Sequence, residues 1–240
     1  IILATILSDI KLNILFKYLI SIFLISLISL LLIAQPDIGQ TLLVIFCWAV
    51  LIFTSGINIY ILLAIFIAGA SLLTYLIIYV PRFDYIQGRI FSFFNRETGT
   101  HNFQSDKAIE SITSGGFFGK GIGEGVLKNR VPEAHTDYII SVISEEFGVV
   151  AIMLILLLFL ILIYMVFKKI SFETNDKVKL ILIGSISLIL MQATIHVGVN
   201  IRLFPTTGMT LPFLSYGGSS IISTSILAGI ILNLTKRKIT

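Results

Sequence analysis

The sequence is poor in cysteine and in charged residues. Its one cysteine, Cys47, excludes an internal disulfide and a CxxC metal or redox site, and packing is its expected role because it lies beside Trp48 in an apolar run. Charged residues make up 12% of the 240 positions and hydrophobic residues 56%, which excludes an ordinary soluble domain. The composition therefore predicts a polytopic membrane protein.

The sequence also lacks a basic stripe of the kind that binds nucleic acid. Its formal net charge is +4, but the basic residues are scattered through loops and are not interleaved with aromatic residues. Lipid headgroups or a phosphorylated lipid suit them better, and we expect no nucleic-acid partner. No basic region or cleavage site of a signal peptide follows Ile1, so we expect a fragment of a longer protein.

Six runs are apolar enough to cross a membrane, which takes about 20 mostly apolar residues. They cover residues 15–34, 40–54, 58–80, 138–167, 178–203 and 220–234. Lys and Arg in short loops favour the cytoplasm, and six crossings place the basic clusters at 11–17, 168–179 and 236–238 on one side. We therefore predict an all-α polytopic membrane protein, a single membrane domain over residues 1–240. Both of its ends are predicted to be cytoplasmic, with a long extracytoplasmic loop at 81–136.

The predicted outer loop is too long to be a plain connector. Residues 105–112 are typical of a short amphipathic helix that Ser105 could cap, and the glycine-rich stretch SGGFFGKGIGEG follows from Ser114. This stretch is not a nucleotide-binding fingerprint, because no strand precedes it and it contains no GK[ST] sequence. We predict a flexible loop that follows the surface and leads into an acidic motif.

The acidic motif is VPEAHTDYIISVISEEFG at residues 131–148, where a polar loop runs directly into an apolar helix. Asp137 is the predicted N-cap of that helix, and steps of four place Ser141 and Glu145 on the same face, with Glu146 beside them. Carboxylates at the mouth of a membrane helix usually face the bundle interior or a cavity. Spacing alone leaves two roles open for Asp137, a helix cap or a catalytic base.

Two further polar segments lie at membrane depth. In QPDIG at residues 35–39, Pro36 predicts a helix break, and Asp37 is either the cap of the next span or an acid that lines a cavity. Residues 205–220, PTTGMTLPFLSYGGSS, predict a broken or re-entrant segment, since irregular backbone at this depth must be buried in protein or line a polar cavity. Arg202 is either an interfacial anchor or a ligand for an anionic substrate.

A metal site is one interpretation of the loop histidine His135. With Glu133 and Asp137 it could hold a divalent cation, but the cluster fits no closed zinc pattern. We expect a hydrogen-bonding role instead.

Four stretches together resemble the SEDS family (shape, elongation, division and sporulation), and within it the FtsW branch. They are QPDIGQTLL, SGGFFGKGIGEG, VPEAHTDYIISVISEEFG and PTTGMTLPFLSYGGSS, in the family's order and spacing. The resemblance covers nearly the whole chain. It implies a bundle of about ten helices, of which this chain is similar to the last six.

The resemblance implies an enzyme that polymerises peptidoglycan glycan strands from lipid II at the outer face of the bacterial cytoplasmic (inner) membrane. The implied partners are a class B penicillin-binding protein and other division proteins. The family's essential aspartate falls on Asp137, its neighbouring motif positions on Glu133 and His135, and the acid of QPD on Asp37. Where the family often has Asn, this chain has His196, which bears on a hydrogen bond in the fifth span.

Glycosyl transfer from a lipid pyrophosphate needs a base for the acceptor hydroxyl and positive charge for the departing pyrophosphate. Asp137 is our candidate for the base. Candidates for binding the substrate or its pyrophosphate are Glu133, His135, Asp37, Arg82, Arg89, Lys107, Lys120 and Ser215. Mg²⁺ or Mn²⁺ could assist, and the sequence does not choose among these cations. Two alternatives stay open, a lipid II flippase and a non-catalytic division scaffold.

Overall fold

The computed structural model describes residues 1–94 and 100–236, without the side chains of Arg82 and of residues 100–102. The described residues form nine α-helices and no strand: α1 (Ile2–Ser8), α2 (Ile14–Ala34), α3 (Ile38–Thr54), α4 (Ile59–Tyr79), α5 (Asp84–Phe94), α6 (Thr100–Gly115), α7 (Ile139–Phe172), α8 (Asp176–Asn200) and α9 (Gly218–Thr235). Helices satisfy their own backbone hydrogen bonds, which a chain in hydrocarbon must do.

The six predicted spans correspond to α2, α3, α4, α7, α8 and α9. Five of these helices are long and apolar enough to cross a membrane, and α3, at 17 residues, is a shorter apolar helix. The predicted all-α polytopic fold is therefore confirmed. Much of the apolar surface of α4 is exposed, as expected of a helix that is hydrophobic on all sides and faces lipid.

The chain forms two compact units, and the prediction of a single membrane domain stays a prediction. The first unit comprises residues 1–75, 163–191 and 224–240. Its core includes Trp48, Leu51 and Ile52 of α3, packed with residues of α1, α2 and α8. Cys47 is buried in this core, which confirms its packing role.

The turn between α2 and α3 carries the QPDIG sequence. Pro36 ends the first helix, and Asp37 caps the second, its Oδ1 accepting a hydrogen bond from the Gln40 backbone N–H at 2.9 Å. The predicted helix break and cap are confirmed.

The second unit comprises residues 76–162 and 192–223. Its apolar core joins α7, α8 and the irregular segment between α8 and α9 through Ile140, Ala193 and Leu211. That segment, residues 201–217, contains no helix, as the predicted break required. Polar side chains hold it: Gln192 Nε2 donates to the Thr210 carbonyl at 2.9 Å, and Ser215 Oγ accepts from the Leu211 N–H at 2.8 Å.

The long segment before α7 has more structure than the sequence indicated. It contains α5 and α6, and α6 begins at Thr100, so Ser105 lies inside the helix and is buried. The predicted Ser105 cap was wrong, because no glycine or proline interrupts the helix between residues 100 and 114. Helix α7 begins at Ile139, so Asp137 is not the residue that directly precedes the first helical one.

Candidate functional site

Asp137 lies at the end of a tight turn that begins at Glu133. The Glu133 carbonyl accepts hydrogen bonds from the backbone N–H groups of Thr136 (3.1 Å) and Asp137 (3.0 Å), and Thr136 Oγ1 donates to Glu133 Oε2 at 3.0 Å. Glu133 has φ +53°, in the left-handed region that non-glycine residues rarely adopt. The turn therefore holds Asp137 at a fixed point between the preceding segment and α7.

Asn200, the last residue of α8, fixes Asp137 from the other side. Its Nδ2 donates to the Asp137 carbonyl at 3.0 Å and to the His196 carbonyl at 2.9 Å, and both Asn200 and His196 are fully buried. One turn below, His196 Nδ1 lies 2.7 Å from the Met209 carbonyl, to which it donates. The backbone of Asp137 is thus hydrogen-bonded to Asn200, which is itself bonded to His196 within the apolar bundle.

The Asp137 side chain lines a cavity of about 290 Å³. The other lining residues come from five parts of the second unit, namely α5, α6, the turn before α7, α8 and the irregular segment: Arg89, Gln104, Tyr138, Val199, Thr206, Gly208 and Met209. Arg89 Nη1 donates to the Thr206 carbonyl at 3.2 Å. Gly208 has φ +71°, and a Cβ there would lie 3.6 Å from Asp137 Oδ2, so the irregular segment passes close to the carboxylate. We call this the Asp137 cavity.

Its surroundings raise the pKa of Asp137 above the ordinary aspartate value. Burial is the largest cause, since it disfavours the charged form, and the negative charge of Glu133 adds to it. A hydrogen bond from Thr136 and the positive charge of Arg89 act in the opposite direction without cancelling the effect. A carboxylate whose pKa is raised is a stronger base than an ordinary one when it is ionised.

A larger cavity, of about 760 Å³, lies along the other residues of the same turn. It is lined by Lys128, Asn129, Val131, Glu133, Ala134, His135, Thr136, Val142, Glu146 and Tyr216. The Tyr216 N–H donates to the His135 carbonyl at 2.9 Å, which ties the irregular segment to the turn. We call this the Tyr216 cavity.

The segment before α7 is held to that helix by Glu145, whose side chain is fully buried. Its Oε1 accepts from the Leu127 N–H (3.0 Å) and lies 3.4 Å from Lys120 Nζ, and its Oε2 accepts from the Lys128 N–H (2.6 Å) and Ser111 Oγ (3.0 Å). A buried carboxylate is stable only when paired in this way. Glu146, beside it, forms an ion pair with Lys128.

The glycine-rich loop also bonds directly to the α7 backbone. Gly148 has φ +78°, which interrupts the helix, and the loop supplies the missing partners. Lys120 N and Gly121 N donate to the carbonyls of Glu145 and Glu146, while Val149 N and Val150 N donate to the carbonyls of Gly116 and Phe117, at 2.9 to 3.3 Å. A Cβ at Gly148 would lie 2.2 Å from the Phe117 carbonyl oxygen, so this approach requires glycine.

The predicted substrate-binding residues fall in different places. Arg89 lies in the Asp137 cavity, and Glu133 and His135 line the Tyr216 cavity. Lys107 pairs with Glu110 at 2.5 Å and Lys120 lies beside Glu145. Ser215 is buried and bound to Leu211, Asp37 belongs to the first unit, and the Arg82 side chain lies outside the described part. Arg202 pairs with Asp106 of α6. Roles in substrate binding remain predictions for all of them.

A divalent cation finds no ready protein site among the described residues. No group of three or more His, Cys, Asp or Glu side chains there is placed to hold a metal ion. Mg²⁺ can bind through one or two carboxylates together with substrate phosphates, so Mg²⁺ or Mn²⁺ remains a prediction.

Sequence reasoning missed several residues of the site. Asn200 could have been noticed as a polar side chain within an apolar span, because such residues are costly there and usually functional. Gln104 carried no local signal, whereas Thr206 and Tyr216 belong to the predicted irregular segment at 205–220, whose sequence did not indicate which residues approach Asp137. Folding alone brings them together.

The fold and this site define a class, the multi-pass helical membrane proteins that carry a carboxylate-centred site where a polar loop enters the bundle. The family described as "Cell cycle protein" (FtsW/RodA/SpoVE) matches residues 1–239, and the chain belongs to it.

Similar proteins include several probable peptidoglycan glycosyltransferases called FtsW. The FtsW of Caulobacter vibrioides is 35% identical over 214 residues, 87% of this chain and 52% of the relative. That of Francisella salina is 37% identical over 221 residues, 88% of this chain and 53% of the relative. The chain thus spans about half the length of these curated relatives.

Two solved structures share the fold. A chain from the structure described as "Structural coordination of polymerization and crosslinking by a peptidoglycan synthase complex" has a TM-score of 0.77 and 28% identity, covering 97% of this chain and 65% of that one. The rod shape determining protein RodA of Thermus thermophilus has a TM-score of 0.61 and 29% identity, covering 97% of this chain and 60% of that one.

Proposed function

We propose that the protein is a peptidoglycan glycosyltransferase that polymerises lipid II into glycan strands for septal cell-wall synthesis, with Asp137 as general base. The observation that carries the proposal is the Asp137 carboxylate, whose pKa is raised, in one cavity with Arg89. The FtsW relatives, named as probable peptidoglycan glycosyltransferases, support the same activity.

The chemistry uses the residues as they are placed. Asp137 takes the proton of the acceptor sugar hydroxyl as that oxygen attacks the anomeric carbon of the donor. The new C–O bond forms while the bond from that carbon to the pyrophosphate oxygen breaks, and the lipid pyrophosphate leaves with the bonding electrons. Arg89, in the same cavity, offsets the negative charge that develops on the leaving group.

The proposed setting is the outer face of the bacterial inner membrane. The basic clusters at residues 168–179 and 236–238 favour a cytoplasmic location for both clusters and for the C-terminus, and the segment 81–136 then lies outside. A class B penicillin-binding protein is the proposed partner, supported by the similar chain from a peptidoglycan synthase complex.

The test is glycan synthesis from labelled lipid II by the complete gene product with its partner. We expect Asp137→Asn to reduce polymer formation by at least about 100-fold, the upper range of general-base effects being about 10⁴. Glu110→Gln is the matched control, because it removes a carboxylate at an exposed position of α6, where Glu110 pairs with Lys107 outside both cavities. It should leave polymer formation unchanged.

The Asn substitution should not unfold the protein. The folded-state pKa of Asp137 is raised, so the stability it contributes is complete below its unfolded-state pKa and declines as the pH rises through the folded-state value. At neutral pH a neutral isostere is therefore at least as stable. Undiminished polymer from the variant would exclude Asp137 as the base, and a lipid II flippase or a division scaffold would then be the function to test.

A further inference from the structure

We infer that the Tyr216 cavity is a sugar-binding subsite, which holds an uncharged saccharide unit of the glycan substrate against the ring of Tyr216. The inference rests on the proposed function and extends it from the proton acceptor to the place of a second sugar. It is carried by the exposed ring, the charges of the lining and the position of the cavity beside Asp137.

The Tyr216 ring is exposed but its backbone is fixed. The side chain is 79% exposed. Its N–H is bound to the His135 carbonyl, and the preceding residue, Ser215, is buried and bound to Leu211. An aromatic ring on a fixed backbone offers a preorganised apolar face. The C–H face of a pyranose can pack on such a ring while its hydroxyls remain free to hydrogen-bond.

The polar groups around the ring suit hydroxyls. Asn129, Glu133 and His135 line the same cavity and are exposed, so their side chains can donate to or accept from a ligand. A mostly apolar or aromatic wall with a few polar groups is the usual composition of a small-molecule site.

The charges disfavour the phosphate part of the substrate. The charged lining residues are Lys128, Glu133 and Glu146, and Lys128 is already paired with Glu146. Glu146 Oε1 also accepts from the Gly123 N–H at 3.2 Å. The Glu133 carboxylate is then the lining charge that no lysine in the cavity offsets, and it would repel a pyrophosphate. The Asp137 cavity, by contrast, contains Arg89.

The two cavities together provide the space that the reaction needs. Pockets for drug-sized ligands typically measure about 300 to 1,000 Å³, so the Asp137 cavity, at about 290 Å³, lies at the lower end of the range. The Tyr216 cavity offers about 760 Å³. Thr136 lines it and Asp137 lines the other, so one turn of chain carries both the base and the sugar subsite.

The direct test is binding of a soluble GlcNAc–MurNAc disaccharide, which carries no pyrophosphate, to the complete gene product in nanodiscs. Saturation-transfer NMR would compare wild type with Tyr216→Phe and Tyr216→Leu. Loss of an aromatic contact should weaken binding by about 3- to 10-fold in Tyr216→Leu, whereas Tyr216→Phe, which keeps the ring, should stay within about 2-fold of wild type. The KM for lipid II should rise in the same order.

The binding measurement separates this inference from the proposed function, because it needs no catalysis. Asp137→Asn should bind the disaccharide as wild type does while it makes no polymer. Equal affinity of wild type and Tyr216→Leu would overturn the inference and leave Tyr216 as an anchor at the membrane surface. An equally weakened Tyr216→Phe variant would also overturn it, because the hydroxyl and not the ring face would then bind.

Discussion

Two charged side chains act on the pKa of Asp137 in opposite directions. The negative charge of Glu133 raises it, and the positive charge of Arg89 lowers it. As the proposed general base, Asp137 must be ionised, so the rate should rise with pH through its pKa. Glu133→Gln removes a negative charge and lowers that pKa, which should move the acidic limb of the kcat/KM profile to lower pH. Arg89→Gln removes a positive charge and should move it to higher pH. Polymerisation rates measured across the acidic range check both shifts.

The opposite directions make this pair of variants informative. Both substitutions could weaken substrate binding and reduce the rate, but a general loss of binding does not move a titration limb in opposite directions. If the two limbs coincide with that of wild type, Asp137 is not the group that titrates in the reaction.

At the scale of the element, α7 is a helix whose hydrogen-bond ladder is completed by another part of the chain. The loop at 116–121 occupies the break at Gly148, and Glu145 holds the next stretch of loop through the N–H groups of Leu127 and Lys128. The loop before α7 and the first part of α7 therefore form one hydrogen-bonded unit that includes the turn at Glu133.

Glu145→Gln tests this arrangement. An amide has one acceptor oxygen where the carboxylate has two, so at least one of the two loop N–H groups loses its partner, at a cost of about 1 to 3 kcal/mol. Thermal unfolding in detergent should show the loss. Glu124→Gln, on an exposed position of the same loop, is the control and should leave the midpoint unchanged. Equal midpoints for Glu145→Gln and wild type would show that Glu145 does not hold the loop.

The sequence predicted the elements better than the site. Hydropathy located the spans, since a continuous apolar run of about 20 residues in a membrane forms a helix that satisfies its own backbone hydrogen bonds. The Asp37 cap and the helix break after Asn200 were also predictable, because helix caps and breaks depend on the residues next to them in the sequence. The loop N–H groups that bind Glu145 could not be predicted, since they are backbone groups 17 and 18 residues away. The prediction of Ser105 as a helix cap was wrong because it used only the neighbouring residues, whereas α6 begins five residues earlier, at Thr100.

At the scale of the whole molecule, the predicted topology places the loop before α7 outside the cell and the loop after it inside. Glu124 and Thr174 are exposed positions in these two loops. In a Cys47→Ser background, Glu124→Cys should react with a membrane-impermeant maleimide in spheroplasts, and Thr174→Cys should react only after permeabilisation. Reaction of Thr174→Cys in intact spheroplasts would contradict the proposed orientation and, with it, an active site on the outer face.

The left-handed backbone of Glu133 sets stability against activity. At φ +53° the backbone conformation costs glutamate more free energy than glycine, by roughly 1 kcal/mol or more. Yet this side chain tunes the pKa of Asp137 and lines the Tyr216 cavity. Selection for heat resistance alone would therefore favour glycine here, and it would yield a more stable protein that lacks the Glu133 carboxylate beside Asp137.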